Sequence, residues 1–282
     1  MLRLSKELSS MMGRLKENIK KKEGTALFSF LAFFHGALCR VKRAPVLLPK
    51  TAQKAYHRTR NYFILRRLLE NKRVFIVGSG PSAADLKEIP DDVVVLTCSF
   101  GGKLFLDKKI SHPVNLYLSP RGTTEDSEAV LSLVKTEAYI AKGCGLDYIR
   151  NNGKFGNPEA IMLMDDTKDN YYLRRLTGSA ELPKTDGKNR PWASSGVRLV
   201  QYALYFKAKE VYLIGMDLNR GHFYSDGAKP EILRDGKPYY YAHEIMDHFF
   251  MNLISKKYRN IYSASNTSPI TSYVPHKELA QP

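Results

Sequence analysis

The stretch that most constrains this chain runs from Arg73 to Ala83, RVFIVGSGPSA. A β-branched apolar run, Val74 to Val77, breaks into Gly78-Ser79-Gly80, and Pro81 stands where a helix would begin. The pattern reads as a buried strand, a tight turn and a helix start. Glycines let the backbone turn sharply and come close to a ligand, and free N–H groups at the helix start would face a phosphate. The expectation is a nucleotide site.

The rest of the chain alternates in the same way. Residues 93–97, 114–118, 160–164 and 210–215 are short apolar runs that read as strands. Residues 62–70, 82–89, 128–138 and 195–207 have helical character, and 165–190 is polar and loop-like. Alternation of this kind predicts an α/β domain with a mostly parallel sheet covered on both faces, its ligands at the carboxyl ends of the strands.

Charge separates the chain into two parts. Residues 1–73 carry 18 basic and 4 acidic side chains, net +14, whereas residues 74–282 carry 26 and 24, net +2. The basic quarter holds an amphipathic pattern (Leu4, Leu8, Met11, Leu15, Ile19) and then an apolar, aromatic run over 26–39, flanked by Lys20-Lys21-Lys22 and by Arg40, Lys42 and Arg43. Fourteen residues fall short of the roughly 20 that a spanning helix needs, and a signal peptide would carry its apolar core nearer the start. Residues 1–60 are expected to be a basic, helical extension and linker lying on an anionic membrane surface, with the protein cytoplasmic and peripheral at the inner membrane. A helical pair packed on the main domain is the alternative. Nucleic acid is not expected, because no binding motif accompanies the charge. Residues 61–282 are expected to form the nucleotide domain, with a polar, Gly-containing lid at about 218–243. Cys39, Cys98 and Cys144 show no ligand or disulfide spacing.

Gly78-x-Gly80-x-x-Ala83 formally fits a dinucleotide fingerprint. An NAD site also wants a carboxylate near the end of the second strand. That strand ends Leu96-Thr97-Cys98-Ser99-Phe100, so a dehydrogenase is disfavoured.

Four segments in order resemble the bacterial sialyltransferases of glycosyltransferase family 42. Gly78-Ser-Gly-Pro-Ser82 resembles that family's Gly-Asn-Gly-Pro-Ser turn. Ser194-Ser-Gly-Val197 with the block Lys209–Asp217 is similar to its Thr-Ser-Gly-Val and Lys-Glu-Ile-Tyr-Leu-Ser-Gly-Ile-Asp segments. Tyr239-Tyr-Tyr-Ala-His243 resembles the segment bearing its catalytic histidine, and residues 261–266 resemble its last strand. The resemblance implies a GT-A-variant, Rossmann-like enzyme that uses a CMP-activated nonulosonic sugar (sialic acid or Kdo type), inverts the anomeric centre and needs no metal. Its acceptor would be lipopolysaccharide or a related glycan or glycolipid, and relatives are often homo-oligomers. Gly78, Ser79, Gly80, Ser82, Ser99 and Ser119 would line the nucleotide, Ser195 and Gly196 would hold an anion at a helix N-terminus, and Asp217 would support the ribose. Ser195 also suits an N-cap for its helix, a role compatible with ligand binding.

The chemistry needs a donor to the leaving phosphate and a base for the acceptor hydroxyl. His243 is the candidate base, with His222 as rival. Tyr224 is the candidate phosphate donor, ahead of Tyr240 and Tyr241. The sequence departs from the family's pattern at Ser79, Ser99 and Ser119, where asparagine is expected, and Asn219 stands where a leaving-group tyrosine is expected. Two other functions stay open: an ATP- and magnesium-dependent enzyme like the archaeal-type pterin pyrophosphokinases, and a tethered nucleotide-binding protein without catalysis.

Overall fold

A computed structural model describes residues 61–119, 136–141, 160–163, 171–178, 193–218, 233–234, 237–238 and 241–279. The chain divides into two units, Met1–Ile64 and Leu65–Pro282. The expected membrane-surface extension, residues 1–60, lies outside the described residues. None of the described helices is long and apolar enough to cross a membrane.

The second unit is built on one parallel sheet. Helix α1 spans 61–69 and ends beside β1 (Arg73–Val77). Then come β2 (Val93–Cys98), the short helix α2 (Lys103–Asp107), β3 (Val114–Ser119), β4 (Thr136–Ala141) and β5 (Ala160–Leu163). Helices α3 (Tyr171–Thr177) and α4 (Ser195–Tyr205) precede β6 (Glu210–Ile214). A two-stranded antiparallel pair, β7 (Leu233–Arg234) and β8 (Lys237–Pro238), precedes α5 (Tyr241–Lys257) and β9 (Ile261–Ser263). The large sheet runs β5-β4-β3-β2-β1-β6-β9, and every pairing in it is parallel. The fold is thus α/β with a parallel sheet, as the alternation predicts, and Rossmann-like, as the resemblance implies.

The order places β1 in the interior of the sheet. The chain walks outward from β1 to β5, then returns to β6 on the other side of β1. In sheets of this kind such a reversal, here between β1 and β6, marks the crevice at the carboxyl ends where ligands usually bind. Both faces are covered, so the strands read as continuous apolar runs. Phe75, Val77, Tyr212 and Ile214 pack on one face with Leu104 and Phe105 of α2. Val74, Ile76, Val211 and Leu213 alternate to the other, fully buried or nearly so. Helix α4 packs on β1, β2, β3 and β6, burying Val197, Val200, Ala203 and Leu204. Each large apolar side chain removed from water stabilises the fold by about 2 kcal/mol.

Three expectations differ from what is found. Residues 82–89 do not form an α-helix: a 3-10 turn, Pro81–Asp85, ends at an extended Leu86 whose side chain is buried. The helix expected over 128–138 gives way, from Thr136, to β4. There Tyr139 stacks on Tyr117 of β3 at 5.4 Å, a cross-strand contact that sequence periodicity does not reveal. Within the polar stretch 165–190 lies α3, whose Tyr172 makes edge-on contacts with Tyr202 and Tyr205 of α4.

At the amino ends of β1 and β6 sits a charged cluster. Arg73 pairs with Asp92 at 2.6 Å and Lys277 with Glu210 at 2.6 Å, while the Lys277 ammonium stands 4.5 Å from the ring centre of Tyr262. This cluster docks the C-terminal residues and lies at the edge opposite the crevice.

Candidate functional site

Two turns meet at the crevice, one after β1 and one after β6, and glycine lets them meet. A Cβ on Gly80 would lie 2.5 Å from Asp217 Oδ2, and one on Gly215 would lie 2.6 Å from the Gly78 carbonyl oxygen. Gly215 also takes φ of +67°, a conformation that favours glycine. The turns are laced together. Gly78 N–H donates to the Ile214 carbonyl and Gly80 N–H to the Gly215 carbonyl, both at 2.8 Å. Gly215 N–H donates to Ser82 Oγ at 3.0 Å.

Asp217 closes this lacing. It is 4% exposed. Its Oδ2 accepts from Ser82 N–H at 2.6 Å, and its Oδ1 accepts from the hydroxyls of Ser82 at 2.6 Å and Ser268 at 2.5 Å. Buried carboxylates need such donors, because an unpaired one is expensive. The open N–H donors expected of the β1 turn are therefore engaged within the protein at Gly78, Gly80, Ser82 and Ala83, and Pro81 has none. Ser82 is buried, and Ser79 is the half-buried member of the turn.

A second carboxylate extends the same wall. Asp85, at the end of the 3-10 turn, accepts from Ser265 Oγ at 2.5 Å and Thr267 Oγ1 at 2.7 Å. Those two hydroxyls hold its carboxyl below the ordinary value. The loop after β9 is thus fastened to the turn after β1 through Asp85 and Asp217. None of Asp85, Ser265, Thr267 and Ser268 is legible in sequence as a site residue, because each carboxylate partner lies at least 51 positions away.

Open donors are found at α4 instead. Four N–H groups at a helix start lack helical partners. Ser194, not Ser195, is the N-cap: its Oγ accepts from Val197 N–H at 3.4 Å, while its own N–H donates to Asp247 Oδ1 at 2.8 Å. The N–H groups of Ser195 and Gly196, the first two helical residues, have no partner among the described residues. Gly196 packs on Met216, next to Asp217, and a Cβ there would collide with the Met216 sulfur. The helix start therefore adjoins the crevice, bare of side chain where it does so.

The carboxyl edge gathers other expected residues. Ser99 opens a 3-10 turn, Ser99–Gly102, whose Gly101 lies against the Val77 carbonyl; a Cβ there would stand 2.7 Å from that oxygen. Ser119 ends β3, two strands from β1. His243 lies in the first turn of α5, four residues before Asp247. His248 reaches Tyr273 OH at 2.5 Å, a tie to the C-terminal segment. Tyr224, His222, Asn219 and Tyr240 lie outside the described residues, as does most of the expected lid. Cys98, at the end of β2, has its thiol pushed up to about 12 by burial, with the Asp247 charge adding to the effect. Among the described residues no group of three His, Cys, Asp or Glu side chains could hold a metal ion.

Fold and site together define an α/β domain of Rossmann-like class in which a buried carboxylate laces two glycine turns together where the strand order reverses. In structure the chain is similar to sialyltransferases. One is CstII from Campylobacter jejuni, solved with the substrate analogue cytidine-5'-monophosphate, at 17% identity and TM-score 0.44 over 75% of this chain and 88% of that one. Another is the monofunctional alpha-2,3-sialyltransferase Cst-I from Campylobacter jejuni, at 17% identity and TM-score 0.46 over 73% and 80%. No protein-family model matches the chain. No curated protein matches it either.

Proposed function

We propose that the domain is a glycosyltransferase that takes a nonulosonic acid, of sialic acid or Kdo type, from a CMP-sugar donor to a hydroxyl of a membrane-anchored glycan. The observation that carries this reading is the start of α4. Capping engages two of its four N–H groups and leaves those of Ser195 and Gly196 open beside the crevice between β1 and β6. Paired backbone donors at a helix N-terminus suit a phosphate or carboxylate. The donor sugar offers both, and its departure leaves charge on the phosphate.

In this reading the nucleotide lies along the carboxyl edge. Gly78, Ser79, Gly80 and Ser82 form its floor rather than its phosphate cradle. Ser99 and Ser119 border it at the neighbouring strand ends, and Asp217 fixes the floor from beneath. His243 takes the acceptor proton, since an imidazole titrates near neutrality, and attack opposite the leaving phosphate inverts the anomeric carbon. Tyr224 donates to the phosphate oxygen. The reaction then needs no metal or resident cofactor. The basic residues 1–60 hold the enzyme on an anionic leaflet, where a glycolipid acceptor is anchored, and a homo-oligomer is the working assembly.

Thermal midpoints measured with CMP, ATP and NAD, each with and without EDTA, test the reading, because a ligand that binds only the folded state raises the midpoint. A rise with CMP that EDTA leaves unchanged supports it. A rise only with ATP and magnesium sinks it in favour of pyrophosphate transfer.

A further inference from the structure

We propose that Asp247 is a positioning residue: its carboxylate ties the helix that bears His243 to the N-cap of α4, and so sets the base against the anion seat. The proposal rests on the reading of His243 as base and of the α4 start as anion seat.

Asp247 is 3% exposed, in the middle of a helix otherwise packed through Met246, Phe250, Met251 and Ile254. A carboxylate so deep is expensive and needs donors. One is the N–H of Ser194 at 2.8 Å, the N-cap of α4. The arrangement is a capping box completed from another helix. Normally a Glu or Gln at the third helical position reaches back to the N-cap N–H. Here that position is Val197, which has no acceptor, and Asp247 supplies it across the structure.

The consequence for the site is geometric. Four residues of helix rise by roughly 6 Å, so His243 stands one turn from Asp247. Other ties of α5, His248 to Tyr273 and Lys257 Nζ to the Leu176 carbonyl, lead to the C-terminal segment and to α3. The Asp247–Ser194 bond leads to the α4 start, directly adjoining the open N–H groups of Ser195 and Gly196. Two elements that come together only in the folded chain are thereby set in register. The carboxylate also brings negative charge near an anion seat, so a neutral acceptor in its place should bind the nucleotide no worse.

Asp247→Asn and Asp247→Ala separate these effects, read by transfer kinetics, CMP titration and amide hydrogen exchange. Asp247→Asn keeps the acceptor: CMP binding is unchanged or a few-fold tighter, and kcat stays within about 5-fold of the parent. Asp247→Ala loses kcat by about 30-fold to 100-fold with KM little changed, the size expected of a misplaced catalytic group. Its amide exchange rises both at 193–197 and at 241–246, while β1 and β6 stay protected. Exchange that rises at 193–197 alone overturns the proposal, as does an alanine variant with parental kcat. Tenfold weaker CMP binding by Asp247→Asn also overturns it, because the charge rather than the tie would then matter. If the parent transfers no CMP-activated sugar, the functional reading falls, and exchange at 241–246 still decides whether the tie exists.

Discussion

Asp217 receives both the backbone N–H and the hydroxyl of Ser82 at 2.6 Å each, across 135 residues of sequence. One carboxylate thereby joins the turn after β1 to the turn after β6. Ser268 adds the loop after β9 through the same Oδ1. Replacing Asp217 by alanine leaves three buried donors without an acceptor. At about 1 kcal/mol or more for each orphan, stability should fall by about 3 kcal/mol, or roughly 6–12 °C in thermal midpoint for a domain of this size. Asp217→Asn should cost less than alanine, since its amide oxygen can take the Ser82 N–H while its nitrogen donates to the two hydroxyls, which also accept. Calorimetry of the three proteins checks this; an alanine variant of parental stability would show that the side chain is not the tie.

The glycines of the β1 turn answer to packing as well as to any ligand. Gly80→Ala should destabilise the ligand-free protein by about 3 kcal/mol, because its Cβ meets the Asp217 carboxylate. Gly178→Ala is the contrast. Its φ is +67° with nothing within 4 Å of a Cβ, so it should lose only about 1 kcal/mol, from backbone strain. Urea midpoints without ligand compare the two directly.

Much of this architecture is legible in the sequence. The apolar runs of β1, β2, β3 and β6 and the helix α4 announce themselves locally, whereas the segment of His243 is legible only through the family resemblance. β4 does not, because its Tyr139 is placed by a neighbour's ring and not by its own periodicity. The β1 turn is legible as a turn, yet its donors look open in sequence. Their true partners, Ile214, Gly215 and Asp217, belong to a segment that arrives more than 130 residues later. The cap of α4 falls one residue before Ser195, since Ser194 and Ser195 are equal as capping side chains and only the fold chooses between them.

The Glu210–Lys277 pair predicts a pH dependence of stability. The Lys277 ammonium beside it, against the opposing effect of burial, holds the Glu210 carboxyl below its ordinary 4.5. That contribution is complete above the ordinary value and is lost as pH falls through the lower folded value. Lys277, held above its ordinary 10.5 mainly by Glu210, contributes below that pH and loses its share as the solution becomes more alkaline. Lys277→Gln should therefore make the acid limb of stability shallower between about pH 3 and pH 5. Denaturation midpoints across that range test the sign.

Cys98 should resist alkylation in the folded protein. With its thiol pushed up to about 12, almost none is thiolate near pH 8. Iodoacetamide treatment with peptide mapping should label Cys98 only after unfolding. Labelling of the native protein at the rate of a free thiol would contradict its burial.

The bond between Ser268 and Asp217 carries a lesson for recognising kin. Local motifs around Gly78–Ser82 are shared by many dinucleotide folds. A three-point signature is more telling: a Gly-Pro-Ser after the first strand, a Gly-x-Asp after the sixth and a serine shortly beyond the ninth. Each element is unremarkable alone. Together they describe one carboxylate with its three donors, a constraint that can be searched for wherever the surrounding letters drift.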